Sequence, residues 1–81
     1  MNKLNYCIKI TSDCLKKAKP KTAEGKLLMK WANDYYNDAM HYSTKDPETA
    51  LEAVSYAHGF IDSGVLLGHI EIEGYHLSKK L

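Results

Sequence analysis

The segment from residue 46 to residue 69 constrains the fold most strongly, because the apolar stripe of its predicted helix consists mainly of small side chains. Asp46 suits an N-cap, Pro47 suits the first helical position, and Glu48 favours the positive end of a helix dipole. The stripe recurs at helical spacing through Ala50, Val54, Ala57, Ile61, Gly64 and Gly68. Small residues let a neighbouring helix approach closely, so the sequence predicts a tightly packed helix over residues 47–69.

Three glycines fall in the second half of this predicted helix, at Gly59, Gly64 and Gly68. Each one costs about 1 kcal/mol relative to alanine in the interior of a helix. Such a repeated cost indicates that something lies close against the segment. Tight packing within the monomer is one interpretation, and a ligand groove or a partner helix is the other.

An earlier segment, residues 3–18, repeats apolar or small side chains at steps of three and four until Pro20 interrupts the pattern. This is the spacing of an amphipathic helix. Cys7 and Cys14 lie on one face of it, about 10 Å apart along the axis. That separation is too long for a disulfide, so we expect two reduced thiols facing the core.

Residues 23–43 form the second predicted helix, with Thr22 as its N-cap. Its heptad-like stripe runs through Leu28, Ala32, Tyr35, Ala39 and Tyr42. Leu27 and Trp31 widen this stripe on one flank, and we expect them beside the core.

The end of the chain shows no helical spacing. Residues 70–73 alternate like a strand, but no second strand is evident as a partner. We therefore expect an irregular tail. Four of its side chains are able to fold back onto the bundle: Ile70, Ile72, Tyr75 and Leu77.

Together these segments predict an all-α fold, a three-helix up-down-up bundle with a short irregular C-terminal tail. The chain forms one domain, residues 1–81, with helices at about 3–18, 23–43 and 47–69 and the tail at 70–81.

The composition fits a small globular domain. The chain has 81 residues, of which 44% are hydrophobic and 26% are charged, and these proportions argue against disorder. No apolar stretch approaches the ~20 residues of a membrane span, and the N-terminus lacks the apolar core of a signal peptide. We therefore expect a cytoplasmic protein with no membrane partner.

Charge is distributed unevenly along the chain. Residues 1–30 carry a net charge of +6 and residues 31–81 a net charge of −5, and the chain has no arginine. Six lysines form a candidate basic patch: Lys16, Lys17, Lys19, Lys21, Lys26 and Lys30. A solvated face is one interpretation, and salt-dependent contact with RNA phosphates is the other. The absence of arginine weakens the RNA interpretation, because no planar fork is present to clamp phosphate or read guanine.

One pair of residues suggests chemistry. His58 and Asp62 lie one helical turn apart and can touch, as in a metal-site fragment or an oriented general base. A hydrogen bond at the helix surface is the simpler interpretation. Asp34, Asp38 and His41 form a second stripe, but their spacing does not match a carboxylate-bridged metal bundle. We expect no catalytic residue, no metal and no cofactor.

Residues 49–68 resemble a family motif that reads Tyr-Ala-x-Gly-aromatic-Leu-Asp-Ala-Gly-x-x-x-Gly. The matching positions are Tyr56, Ala57, Gly59, Phe60, Asp62, Gly64 and Gly68. Ile61 and Ser63 replace the usual Leu and Ala, and Leu66 stands where a basic residue is usual. With Asp34-Tyr35-Tyr36-Asn37-Asp38-Ala39 upstream, the chain resembles, over about residues 23–69, the small archaeal proteins of domain of unknown function 357. The resemblance implies a three-helix bundle and an archaeal, cytoplasmic origin, and it implies no activity.

The candidate functional surface is Tyr56, His58, Gly59, Asp62, Gly64 and Gly68. Three functions are compatible with the sequence, and the first is a protein-interaction or scaffold module that binds itself or another protein. The second is an RNA accessory protein that uses the lysine-rich region of residues 16–30. The third is a small enzyme or a metal-binding bundle, which no nucleophile or base cluster supports.

Overall fold

A computed structural model describes residues 2–75, which form three helices and two short strands. The helices are α1 (Lys3–Lys17), α2 (Ala23–Tyr42) and α3 (Pro47–Leu66), and the strands are β1 (Lys19–Pro20) and β2 (Ile70–Glu71). The helices pack together, which confirms the predicted all-α three-helix bundle. Among these helices, none is both long enough and apolar enough to cross a membrane.

Each helix starts at a side chain that caps its free amides. Asn2, Thr22 and Asp46 accept hydrogen bonds from the backbone N–H three residues on, at 2.8, 2.9 and 3.2 Å. These bonds satisfy donors that have no partner within the helix. The caps predicted at Thr22 and Asp46 are confirmed.

The core lies between α2 and α3 and is built from the predicted small-residue stripes. Six side chains there are fully buried: Ala32, Ala39, Ala50, Val54, Ala57 and Ile61. The first helix covers them through Leu4 and Thr11, while Cys7 and Cys14 are half-buried free thiols at its edge. Alanine brings little apolar area to a core, so the close approach of α2 and α3 is what makes their contact dense.

The third helix ends at Leu66, three residues before the predicted limit of residue 69. Gly68 adopts a left-handed φ of 79°. The N–H of His69 donates to the Gly64 carbonyl at 2.8 Å, and the N–H of Gly68 donates to the Val65 carbonyl at 3.2 Å. This is the Schellman arrangement, in which glycine just beyond the helix satisfies the last carbonyls. Gly68 therefore ends the helix instead of weakening its interior.

The prediction that the tail has no strand to pair with is wrong. Ile70 and Glu71 pair antiparallel with Pro20 and Lys19 in the α1–α2 connection, and the N–H of Lys21 donates to the His69 carbonyl at 2.8 Å. The partner strand, Lys19–Pro20, is too short to show alternation, so the sequence pattern gives no sign of it. We call residues 68–75 the strap.

The strap folds back onto the bundle, as predicted for three of its side chains. Ile70 and Ile72 are buried, and Tyr75 is half-buried against the same cluster as Ile61. Leu77, the fourth, lies outside the described residues. Gly64 is buried under the strap, since a Cβ there would meet the Ile70 side chain. Gly25 has the same role on α2, where a Cβ would meet the His69 carbonyl.

Candidate functional site

The six residues of the candidate surface lie in three places. Tyr56 and Gly59 are exposed on α3. His58 and Asp62 line the groove between α1 and α3. Gly64 and Gly68 instead support the strap and the end of α3, as described above. The structure therefore places the other four residues on an exposed face of α3 and in a polar cluster, and Gly59 borders both.

Four aromatic rings, those of Trp31, Tyr35, Tyr56 and Phe60, lie together where α2 and α3 meet. The ring centroids of Tyr35 and Tyr56 are 5.3 Å apart, those of Tyr35 and Phe60 5.7 Å, and those of Trp31 and Phe60 5.9 Å. Trp31 is 47% exposed and Tyr56 is 61% exposed. With Leu27, which is 56% exposed, and Gly59, these four residues define the open face.

The flank residues of the second helix thus differ from expectation. Leu27 and Trp31 were expected beside the core, yet both are largely exposed. Helical spacing shows where the apolar stripe and its flanks lie, but not which flank a third helix covers. In this bundle α1 covers the other flank and leaves these side chains bare.

A groove of about 660 Å³ runs along α3 beside the aromatic rings. Its lining is Leu51, Glu52, Ser55, Tyr56, Gly59, Phe60 and Ser63. The small residues Ser55, Gly59 and Ser63 recur every four residues and form its floor. The groove has the form of a shallow channel that follows a helix.

Gly59 has no neighbour that requires a glycine. A Cβ built there meets no other heavy atom within 4 Å, and its backbone is helical. The other glycine of the α3 interior, Gly64, does have such a neighbour in Ile70. The helix cost of Gly59, about 1 kcal/mol, is therefore not explained by packing among residues 2–75.

Carboxylates lie at one end of the open face. Glu52 lines the groove, Glu48 precedes it by one turn of α3, and Asp38 follows Tyr35 by almost one turn on α2. Asp34 is paired with Lys30 at 3.0 Å, and both side chains are exposed, so this pair contributes little to stability. Among the residues that line the groove, Glu52 carries a charge and no lysine is present.

A polar cluster, which we call the inner cluster, joins α1, α3 and the strap through Thr11, His58, Asp62 and Tyr75. The Tyr75 hydroxyl from the strap donates to Asp62 Oδ1 and lies 3.2 Å from His58 Nε2. His58 Nδ1 lies 3.4 Å from the hydroxyl of Thr11 on α1. The predicted proximity of His58 and Asp62 is confirmed, with 3.6 Å between Nε2 and Oδ1.

A single tautomer gives every member of this cluster a partner. With the proton of His58 on Nε2, that nitrogen donates to the Tyr75 oxygen and Nδ1 accepts from Thr11. The Tyr75 proton then remains free to donate to Asp62. Thr11 is 1% exposed and would otherwise be a buried polar group without a partner.

Burial controls the acidity of two groups here. It raises the pKa of the Tyr75 hydroxyl, and the hydrogen bond to Asp62 and the negative charge of Asp62 raise it further. Burial also raises the pKa of the Cys14 thiol, with a smaller contribution from Asp62. Neither group therefore gains nucleophilic character from its surroundings, because both are held in the protonated form.

His69 lies beyond the end of α3 and apart from this cluster. Its Nδ1 lies 2.8 Å from the Thr22 hydroxyl, which caps α2. Within residues 2–75, no group of three His, Cys, Asp or Glu side chains is placed to hold a metal ion.

The lysines of the candidate basic patch are all exposed. Lys16, Lys17 and Lys19 line a groove of about 580 Å³ together with Glu71 and Glu73 of the strap. The strap therefore places two negative charges among the lysines. Sequence reasoning missed this neighbourhood because Lys19 and Glu71 are 52 residues apart and meet only through the β1–β2 pairing.

Sequence reasoning also did not find Tyr75 as the partner of Asp62. Asp62 lies on α3 and Tyr75 lies beyond the turn at Gly68, so no periodicity relates them. Two signals were available in the sequence. The Asp62 carboxylate lies near the packed face of its helix and needs a hydrogen-bond donor, and the tail has apolar side chains able to fold back.

Comparison with known proteins gives one family. A family model described as "Protein of unknown function (DUF357)" matches residues 6–70. This span includes most of α1, which the sequence motif did not cover. No curated protein and no solved structure matches the chain.

Proposed function

The chain belongs to the DUF357 family, whose description assigns no function, and we propose that it is a protein-interaction module whose open face docks a basic amphipathic helix of a partner protein. The observation that carries the proposal is the exposed aromatic cluster around a glycine that the chain's own packing does not need. A helix in a hydrophobic groove is a recurring mode of peptide recognition.

The shape of the open face suits a helix. The small residues Ser55, Gly59 and Ser63 let a backbone approach α3 closely. The rings of Tyr56 and Phe60 also line the groove, and each lies beside a ring of α2, Tyr35 or Trp31. Partly exposed aromatic side chains combine apolar area with little loss of side-chain freedom on binding. Trp and Tyr are also the residue types that dominate binding energy at interfaces.

The charge of the open face selects the partner. Glu48, Glu52 and Asp38 lie along one end, and no lysine lines the groove. Lys or Arg side chains at the edge of a docked helix meet these carboxylates and the faces of the aromatic rings, with which cations interact favourably. An acidic helix meets like charges instead.

Self-association through the open face is the competing form of this function. A second copy docked through the same surface presents the same carboxylates, so its electrostatic match is poorer. Sedimentation of the protein at high concentration separates the two forms, since a stable dimer there favours self-association over a basic partner.

The intrinsic fluorescence of Trp31 tests the proposal, because it is the one tryptophan of the chain and lies in the middle of the open face. The probe is a helical peptide of about 18 residues with leucine on one face and lysine on the other. We expect saturable binding with a blue shift of the emission, and weaker binding as salt is raised. The matched peptide with glutamate in place of lysine is expected not to bind.

Gly59→Leu is the decisive variant. It fills the groove, has open space in the monomer and improves helix propensity, so it is expected to abolish binding without loss of stability. Asn37→Leu adds the same side chain at an exposed site of α2 off the open face and serves as the control. Equal binding by both variants, or equal binding of the two peptides, overturns the proposal.

The family resemblance implies an archaeal, cytoplasmic protein. The lysine-rich region of residues 16–30 supports RNA contact only as the second candidate, because Glu71 and Glu73 lie in the same groove as three of its lysines.

A further inference from the structure

The groove between α1 and α3 already contains a ligand-like group, the phenol of Tyr75. Its hydroxyl contacts Asp62 and His58, and its ring lies beside the imidazole with 6.2 Å between centroids. The contact is polar, directional and specific for a donor, since a carboxylate without its proton only accepts. An apolar group of the same size leaves Asp62 without that bond.

Open space lies on both sides of the Tyr75 hydroxyl. One cavity of about 360 Å³ reaches Thr11, His58 and Asp62 from the side of α1 and α3, and a second of about 370 Å³ lies under the strap. The two cavities share Ile10 and His58. Small-molecule and side-chain sites commonly have this form, an apolar pocket with a few convergent polar groups.

The strap holds Tyr75 in place through few backbone bonds. Its strand pairing covers only Ile70 and Glu71, and beyond these the backbone bond found up to residue 75 is local, from Tyr75 N–H to the Ile72 carbonyl. Gly74, with φ of 72°, sets the turn that aims Tyr75 at Asp62. Segments with few backbone bonds to the rest of a fold open well below the cost of global unfolding.

We propose that the α1–α3 groove is a second binding site, specific for a tyrosine side chain, which Tyr75 fills from within and which a tyrosine of a partner protein takes when the strap opens. The Asp62 carboxylate accepts a hydrogen bond from the tyrosine hydroxyl, and Thr11 holds His58 against the oxygen of that hydroxyl. The two cavities leave room for the approaching partner chain. This site shares Ser55 and Gly59 with the lining of the open face, but it does not depend on the function proposed for that face.

The test removes the Tyr75 side chain with the variant Tyr75→Ala, in the full-length chain, and adds a free phenol in its place. The probe is p-cresol, which is the tyrosine side chain itself, and the readout is the amide NMR shifts of Thr11, His58 and Asp62. We expect saturable binding in the millimolar range, as is typical of so small a ligand. Toluene, which lacks only the hydroxyl, is expected to bind at least about tenfold more weakly. Wild-type protein is also expected to bind p-cresol more weakly, because its own Tyr75 competes at high effective concentration.

Tyr36→Ala is the matched control, since it removes the same atoms from α2 and is expected to give no p-cresol shift at Asp62. Failure of folded Tyr75→Ala to bind p-cresol, or equal binding of toluene, overturns the proposal.

Hydrogen exchange of the wild-type protein tests separately whether the strap opens, and this measurement does not require Tyr75→Ala to fold. The amides of Lys21 and Glu71, which donate across the pairing between the strap and the α1–α2 connection, are expected to exchange faster than those of α2 and α3, and faster still in Tyr75→Phe. Exchange of all these amides at one common rate contradicts a strap that opens.

Discussion

Two glycines on one helix show how a residue's cost depends on its neighbours. A Cβ at Gly59 enters open space, whereas a Cβ at Gly64 meets the Ile70 side chain. The same substitution therefore has opposite consequences at two positions five residues apart. Sequence alone treats both as helix-breaking glycines and gives no means of telling them apart.

Gly59→Ala is expected to raise the free energy of unfolding by about 1 kcal/mol, because it removes the helix cost of glycine and meets no obstacle. Gly64→Ala is expected to lower it by about 1–3 kcal/mol, because the added methyl group overpacks the site under Ile70. Urea unfolding followed by circular dichroism measures both. A change of the same sign for the two variants contradicts this account of α3.

Tyr75 is expected to make stability depend on alkaline pH. Its pKa is raised in the folded protein above the unfolded value of about 10, so its contribution to stability is complete below that pH and is lost as pH rises further. The free energy of unfolding is expected to fall as pH rises above about 10, and to fall less in Tyr75→Phe. Parallel pH profiles for the two proteins would show that Tyr75 is not responsible.

At the scale of elements, the helices were predictable and the strap was not. Thr22 and Asp46 cap their helices through bonds to residues three positions away, and the buried stripes repeat within one turn or two. Both signals are local. The β1–β2 pairing joins positions 52 residues apart through two residues each, and Lys19-Pro20 has no strand character of its own. Only the folded bundle brings these segments together.

The strap is expected to stabilise the bundle, although it is short. Ile70 is 3% exposed and fills the space over Gly64, so Ile70→Ala is expected to lower the free energy of unfolding by about 2–4 kcal/mol. Leu66→Ala is the control, since Leu66 is 68% exposed and its truncation is expected to change stability little. Thermal or urea unfolding measures both variants. A loss as small for Ile70→Ala as for Leu66→Ala would show that the strap does not contribute to the core.

At the scale of the whole molecule, the arrangement of α1 decides which surfaces are available. The sequence predicted an apolar stripe on α2 that Leu27 and Trp31 widen on one flank, but α1 packs elsewhere and leaves both side chains exposed. The packing choice depends on how three helices fit together, which helical spacing does not encode. The candidate site was therefore only partly predictable. Gly59 and Tyr56 were identified, but their aromatic neighbours on α2 were assigned to the core.

Whole-molecule charge leads to a last prediction, which concerns RNA. The sequence separates a basic first part from an acidic remainder, but the fold brings Glu71 and Glu73 beside Lys16, Lys17 and Lys19. Carboxylates beside lysines oppose phosphate binding, so wild-type protein is expected to bind single-stranded RNA weakly even at low salt. The double variant Glu71→Gln/Glu73→Gln removes the two negative charges and is expected to bind more tightly, with a steeper salt dependence.

Fluorescence anisotropy with a labelled oligonucleotide measures the binding of both proteins. The control is Glu48→Gln/Glu52→Gln, which has the same net charge but removes its two carboxylates from the other side of the fold. Tight, salt-dependent binding by the wild type would instead favour the RNA function, and equal gains in the two double variants would show that net charge acts without regard to its position.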